Sequence, residues 1–230
     1  TSISNMLGGN VPGIIAVTRS GEPGDDFSEF WIRGISTFGA NASALVLVDG
    51  VEGNINDLDP SDIESFSVLK DASATAVYGV RGANGVVVIT TKSGKAGKLR
   101  INFKTNLIMS ESARMPEYAD AYSYAQLANE ARLSRGKDPI YSDVAMELIR
   151  TGMDQDLYPN VNWRDVILKD HVWQNQHFLS VAGGGTAARY YMSLSIQNKD
   201  AVFKQDKSAN KYDTNVSYHK YSFLANMDVN

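Results

Sequence analysis

The feature that most limits the fold of this chain is a period of two sustained through its second half. Leu99, Ile101, Phe103, Thr105, Leu107 and Met109 alternate with Lys98, Arg100, Asn102, Lys104 and Asn106. Successive side chains of a strand point to opposite faces, so this run predicts a long strand with one apolar and one polar face. The texture returns at Tyr190, Met192, Leu194 and Ile196, against Arg189, Ser193, Ser195 and Gln197. It returns again at Tyr221, Phe223, Ala225, Met227 and Val229, against Ser222, Asn226 and Asp228. His177, Leu179 and Val181 make a weaker copy just before Gly183-Gly184-Gly185. The triple glycine reads as a turn, and its two flanks as a hairpin.

Four such strands leave an apolar face and two unpaired edges to be covered. They cannot close into a cylinder, because the smallest membrane barrels use about eight strands. The last alternating run is still in progress at Asp228-Val229-Asn230. The expectation is therefore a fragment of a larger all-β body. Periodicity alone leaves a soluble sheet packed on helices equally open, since both kinds of strand share the same period.

The first hundred residues have a different texture. Ser4 to Leu7 ends a short helix, closed by Gly8-Gly9. Ile14 to Thr18 and Glu29 to Arg33 are strand candidates, separated by the turn chemistry of Ser20 to Asp26. Ala44-Leu45-Val46-Leu47-Val48 is apolar at every position, which suits a strand buried on both faces. Asp59-Pro60-Ser61-Asp62 places a capping side chain, a proline and an acid where a helical turn begins. Glu64 to Lys70 reads as a strand. Asp71 then caps a short alanine-rich helix ending at Tyr78, with Gly79 as its left-handed stop. Gly82 and Gly85 flank a turn, and Gly85 to Lys92 is the strongest strand of the chain. Short helices between strands predict a small α+β domain with a mixed sheet over residues 1–97.

Residues 98–110 form the first long strand, and 170–230 hold three more. Between them, 111–169 reads as a helical insertion. Ala121, Tyr124, Ala125, Ala128 and Ala131 recur at helical spacing up to Gly136. Ser142 caps a second helix that Gly152 ends, and Asn162 caps a third through Trp163 and Ile167.

Charge and composition remove several function classes. With 22 Lys+Arg against 26 Asp+Glu among 230 residues, the net charge of −4 offers no basic footprint for nucleic acid. The absence of cysteine excludes disulfides, Cys-ligated zinc, iron–sulfur clusters and a thiol nucleophile. No apolar run approaches the ~18 residues of a membrane-spanning helix. Gly79-x-x-Gly82-x-x-Gly85 lacks the glycine spacing of the dinucleotide fingerprint, and neither a P-loop, a GxSxG elbow nor an HExxH pair occurs. The carboxylates and amides at Asp49, Glu52, Asn54, Asn56, Asp57 and Asp59 match no EF-hand spacing and read as a polar turn. His171, His177 and His219 are too scattered to predict a metal site. No catalytic, cofactor or metal residue is assigned.

The run from Asp62 through Ser67-Val68-Leu69-Lys70-Asp71-Ala72-Ser73-Ala74 and Tyr78-Gly79-Val80-Arg81-Gly82-Ala83-Asn84-Gly85 to Lys92 strongly resembles the plug-domain signature of SusC/RagA-type TonB-linked outer-membrane transporters. Ile32-Arg33-Gly34 and Leu47-Val48-Asp49-Gly50-Val51 resemble the blocks preceding it. Gly183-Gly184 with Arg189-Tyr190-Tyr191, and Tyr221-Ser222-Phe223, resemble early barrel strands. The resemblance implies a plug domain followed by antiparallel strands of a truncated transmembrane β-barrel in the outer membrane of a Gram-negative cell. It implies a SusD-like surface lipoprotein as partner, and oligosaccharides or peptides as cargo. It also implies drive by TonB through an upstream segment that this sequence does not contain. The 111–169 insertion would then emerge at the extracellular end and the triple-glycine turn at the periplasmic end. Lys98, Arg100 and Lys104 would meet plug or water while Leu99 to Met109 face lipid.

On that reading Arg33, Lys70 and Arg81 are candidates for plug–barrel contacts or switches. Ser36, Thr37, Asn41 and Ser43 are candidates for a ligand-facing loop. Trp31, Trp163, Trp173, Tyr118, Tyr122 and Tyr124 are further aromatic platforms, set against core and membrane-interface roles. The alternatives are a soluble, non-transporting binding module with a plug-like fold and, behind it, a carbohydrate-active enzyme using a carboxylate pair.

Overall fold

The computed structural model describes residues 2–22, 25–32, 43–70, 76–111, 114–205, 212 and 215–229. The chain divides into two compact units. One comprises Thr1–Met109, Trp173–Ala201 and Val216–Asn230, the other Ser110–Val172 and Val202–Asn215.

The N-terminal part of the first unit is built on β6 (Val86–Thr91), the run of β-branched residues that reads most strongly as a strand. Val86, Val87 and Ile89 are completely buried. β6 pairs in parallel with β3 (Leu45–Val48) and antiparallel with β5 (Ile63–Leu69), and β4 (Val51–Glu52) completes the order β4-β3-β6-β5. A separate antiparallel hairpin joins β1 (Ile14–Thr18) to β2 (Ser28–Ile32). Helix α1 (Ile3–Leu7) is capped by Ser2 and contributes Ile3 and Leu7 to one core with Ile14, Ile32, Ile55, Val87 and Ile89. That cluster is what joins the hairpin to the sheet.

Local punctuation explains the connections. Asp59 caps the 3-10 turn Pro60–Asp62, its Oδ1 accepting from Ser61 N at 2.8 Å. Residues 76–78 are helical, whereas Asp71 and residues 72–75 lie outside the described residues. Gly79 is left-handed at φ +60, as a helix stop requires. Gly85 is forced twice over. Its φ is +88, and a Cβ there would lie 2.7 Å from Ile32 Cδ1.

The alternating runs form the second sheet of this unit. β7 (Gly97–Ser110), β8 (Val172–Gly184), β9 (Ala188–Lys199) and β10 (Tyr218–Val229) lie in the order β10-β9-β8-β7. β8 and β9 pair antiparallel from Gln174↔Lys199 to Gly184↔Arg189, and β9 and β10 from Tyr218↔Lys199 to Val229↔Ala188. The hairpin expected at the triple glycine is present, but its turn is shifted. Gly183 and Gly184 are strand residues, and the turn closes with Gly185 N donating to Ala188 O at 2.8 Å. A Cβ at Gly183 would sit 2.9 Å from the Tyr190 hydroxyl, so the glycine makes room for that ring. β8 is also longer than its weak alternation suggests. Asn175 and His177 occupy positions on the face that bears Leu179 and Val181, and they dilute the apolar pattern.

The second unit holds α2 (Ala121–Leu133), α3 (Asp143–Thr151) and α4 (Trp163–Ile167). Asp120 and Ser142 cap the first two through Ser123 N and Ala145 N. Asn162 does not cap α4 through its side chain, contrary to expectation. Its Nδ2 donates to Asp165 Oδ2 at 2.7 Å instead. Helix α2 ends at Leu133, before Gly136. Residues 167–169 pair with 202–204, through Lys169 N to Val202 O and Lys204 N to Ile167 O.

Ile89→Ala removes the centre of the joint core and is expected to destabilise the first unit by about 2–5 kcal/mol. Chemical unfolding of the full-length protein carrying this chain, followed by protease sensitivity of residues 2–91, checks it. A cost below 1 kcal/mol would contradict the assigned core.

Candidate functional site

One face of β8–β10 is turned towards the N-terminal sheet and carries mainly polar side chains. Buried polar groups must be hydrogen-bonded, so the partners of these residues define how the two parts engage. Asp59 is the centre. Its Oδ2 accepts from Gln176 Nε2 at 2.9 Å and from Ser195 Oγ at 2.5 Å, while Oδ1 holds the local turn. Asp62 Oδ1 accepts from Tyr191 Oη at 2.9 Å. The two carboxylates are 4% and 3% exposed.

Further contacts extend the same face. Lys199 Nζ pairs with Asp26 at 2.6 and 2.8 Å and lies 5.9 and 5.5 Å from the ring centroids of Phe27 and Tyr218. Those two rings meet edge to face at 6.3 Å. Lys220 Nζ donates to Asn56 O and Leu58 O, and Asn226 Nδ2 donates to Thr91 Oγ1 at 2.7 Å and to Lys92 O at 2.9 Å. A void of about 20 Å³ beside Asp59 has room for a single water and none for a substrate. The arrangement fastens one surface to another.

The two carboxylates differ electrostatically. Burial works to raise the Asp59 pKa, but the hydrogen bonds from Ser195, Ser61 and Gln176 outweigh it and hold the group below its ordinary value. Burial pushes Asp62 up, and the neighbouring Asp59 charge adds to that.

The opposite face of the sheet is apolar and exposed. Leu179, Leu194 and Phe223 stand in one cross-strand row, with Val181, Met192 and Ala225 in the next. Tyr221, Phe223, Met227 and Val229 on β10 are exposed, as are Leu99, Ile101, Phe103, Leu107 and Met109 on β7. A polar row crosses this face nearer one end, where Asn198 Nδ2 donates to Asn175 Oδ1 and Asn198 Oδ1 meets His219 Nδ1 at 2.8 Å. The strands run 14, 13, 12 and 12 residues, more than the ~9–11 that cross a bilayer.

Of the residues singled out in the sequence, Lys70, Arg81 and Ser43 are among the described ones. Lys70 Nζ donates to Pro12 O, and Arg81 pairs with Glu52, both within the N-terminal part. Arg33, Ser36, Thr37 and Asn41 lie outside the described residues. Ser43 is exposed and lines an open cleft of about 720 Å³ with Trp31, Glu52 and Asn54. Lys98, Arg100 and Lys104 are exposed on β7. Asp49 serves structure, accepting from Thr91 N and Oγ1 at 2.8 and 2.6 Å. The anchoring residues Asp59, Asp62, Asp26 and Lys199 were missed as a set. The visible signal was Ser193 and Ser195 at inward positions, small polar groups suited to a dry contact.

The TonB-dependent receptor plug domain family matches residues 1–86. The TonB-dependent receptor SusC of Bacteroides thetaiotaomicron is 30% identical over 215 residues, 89% of this chain and 20% of that protein. The TonB-dependent receptor P39 of Formosa agariphila is 36% identical over 199 residues, 85% of this chain and 18% of its own length. The solved RagAB peptide importer in its closed-closed state superposes with a TM-score of 0.77 at 25% identity, covering 100% of this chain and 27% of the solved one.

The chain belongs to the SusC/RagA family of TonB-dependent receptors. It contains the plug domain followed by antiparallel strands of an unclosed barrel wall. It spans about a fifth of the length of the curated relatives it matches.

Asp59→Asn turns an amide N–H towards at least one of the donors now bound by the carboxylate. It is expected to weaken the plug–wall contact by about 1–3 kcal/mol. A double-mutant cycle with Ser195→Ala should give a non-additive coupling, and additive losses would contradict a direct bond. The acid response has a definite sign. Because Asp59 is depressed in the folded state, its contribution is present above the ordinary value of 3.8 and lost as pH falls through the lower folded value. Asp62, raised, takes its proton first, which relieves repulsion. Protease protection of the plug is therefore expected to persist while Asp62 titrates and to fall only below pH 3.8.

Proposed function

We propose that this chain is the plug and early wall of an importer in the outer membrane of a Gram-negative bacterium. Its cargo is oligosaccharide, its surface partner a SusD-like lipoprotein, and TonB supplies the drive through a segment upstream of residue 1. Residues 1–97 form the plug, 98–110 and 170–230 wall strands, and 111–169 an extracellular insertion. The observation that carries the reading is the two-faced sheet. β8–β10 hold Asp26, Asp59 and Asp62 on one side and present exposed Phe, Leu and Met rows on the other. A soluble module would leave those rows in water, whereas lipid covers them at no cost. The resemblance of the sequence to SusC/RagA-type transporters supports oligosaccharide cargo, and the likeness to the solved RagAB peptide importer favours peptides as a second reading.

The plug-fastening geometry suggests a direct test. Residues 1–230 hold no cysteine, so Asp59→Cys and Ser195→Cys introduce the one thiol pair within them. Bridging that pair with a short thiol cross-linker in the full-length protein is expected to abolish TonB-dependent uptake, and cleaving the bridge to restore it. Uptake that continues with the bridge intact would overturn the plug assignment.

A further inference from the structure

We propose that Asn175, Asn198 and His219 form a seat, on the outer surface of the wall, for the phosphorylated sugar headgroup of an outer-leaflet lipid. The proposal rests on the importer reading, which sets these strands in a membrane with residues 111–169 outside. It goes beyond that reading by naming a lipid class and the side chains that hold it. Alternation turns the three residues away from the plug. Gln176, Lys199 and Lys220, the next residues along each strand, bond to Asp59, Asp26 and Asn56 O on the inner side.

Register and strand length fix the height of this row. Every outward residue of β9 and β10, from Ala188 and Val229 up to Ile196 and Tyr221, is apolar or aromatic. The next row is polar on three strands at once, with His219, Asn198 and Asn175 side by side. From Val229 to His219 is ten steps of about 3.4 Å, or about 34 Å along the strand. At the tilt of about 35–45° found in membrane barrels, that gives a height of about 24–28 Å. The apolar band of such barrels is about 25 Å tall. The polar row therefore falls where hydrocarbon gives way to headgroups. Aromatic rings flank it, as they do at membrane interfaces. Tyr221, one row inward, and Trp173, one row outward, are 70% and 56% exposed.

The bonding within the row selects the headgroup. A carboxamide oxygen only accepts, so His219 Nδ1 donates to Asn198 Oδ1 at 2.8 Å. Asn198 Nδ2 in turn donates to Asn175 Oδ1 at 2.9 Å. Both amide oxygens are thereby engaged, while Asn175 Nδ2 and His219 Nε2 have no partner among the described residues. Each amide nitrogen carries two N–H groups, so both asparagines keep at least one to offer. One row inward, Thr105 Oγ1 bonds His177 Nδ1 at 3.2 Å and extends the polar patch towards β7. The row is a fixed line of amide donors ending in an imidazole, and it spans two strand spacings, about 10 Å. It matches a headgroup whose acceptors are spread over that width. Phosphate supplies strong acceptors, and sugar hydroxyls accept from the amides and donate to the imidazole nitrogen. A single phosphodiester reaches only part of the line. An ammonium headgroup needs an acid, and the nearest along β9 is Asp200, past the end of the strand.

Native mass spectrometry of the full-length protein in detergent, titrated with three lipids, tests this. The lipids are a bisphosphorylated glucosamine-disaccharide lipid, phosphatidylglycerol and phosphatidylethanolamine. The sugar lipid is expected to be retained in preference to the other two. Asn198→Leu and His219→Leu should each weaken its retention about three- to tenfold. His219→Gln, which keeps a donor, should preserve most of it. Ala225→Leu, inside the apolar band, should leave it unchanged. In bilayers, a fluorophore at residue 219 should escape quenching by brominated acyl chains, and one at residue 223 should be quenched. Unaltered heat-modifiable mobility on gels shows that each variant is folded. Equal retention of the three lipids, retention indifferent to Asn198→Leu and His219→Leu, or quenching at 219 as strong as at 223 would overturn the proposal. The importer reading fails separately, through absent TonB-dependent uptake while the sugar lipid is still retained.

Discussion

A polar side chain can be taken out of water only where a partner waits for it, and that rule governs the first unit. The inward row of β8–β10 holds Gln176, Tyr191, Ser195, Lys199 and Asn226, and each meets a group of the plug. Remove the plug and these side chains line an unpaired polar wall. Remove the wall and Asp59 and Asp62 become ordinary surface acids of a small domain. The turn from Asn54 to Asp62, which touches the wall most often, is itself bonded locally by Asn54 and Asp59. Its carboxylates and carbonyls are thereby aimed before the wall is reached.

The character of the contact suits a stopper that must seal and yet yield. Most of the bonds join a charged group to a neutral one, such as Ser195 to Asp59 or Lys220 to Asn56 O. Each contributes modestly because water replaces it readily once the surfaces part. The Asp26–Lys199 pair is the exception, a largely buried ion pair roofed by Phe27 and Tyr218. Breaking one partner of such a pair leaves the other charge stranded, so it is costly to lose although it adds little compared with an apolar contact. The plug core is apolar and continuous from α1 to β6, which lets the domain hold its shape apart from the wall.

Much of this was legible in the residues. The two-fold alternation announced β7, β9 and β10, and the β-branched run announced β6, because each pattern depends only on side-chain direction along one strand. Capping at Asp59, Asp120 and Ser142 was equally local. The glycine turn was misplaced by two residues because room for the Tyr190 ring, across the hairpin, decides where Gly183 is needed. Asn162 failed as a cap because Asp165 competes for its side chain. β8 was underestimated because Asn175 and His177 stand among its apolar positions, where they meet polar groups on neighbouring strands.

The candidate site shows the same division more sharply. Arg81 and Lys70 stood out by their neighbours in sequence, and among the described residues Arg81 pairs with Glu52 and Lys70 Nζ donates to Pro12 O. Asp59 and Ser195, which do join plug to wall, are 136 residues apart and individually ordinary. The order of residues by itself determined the two-faced strands, the buried β6 and the family, since these follow from local periodicity and long runs of identity. Which carboxylate faces which strand was decided only by folding, because a hydrogen bond reports distance in space and carries no signature along the chain.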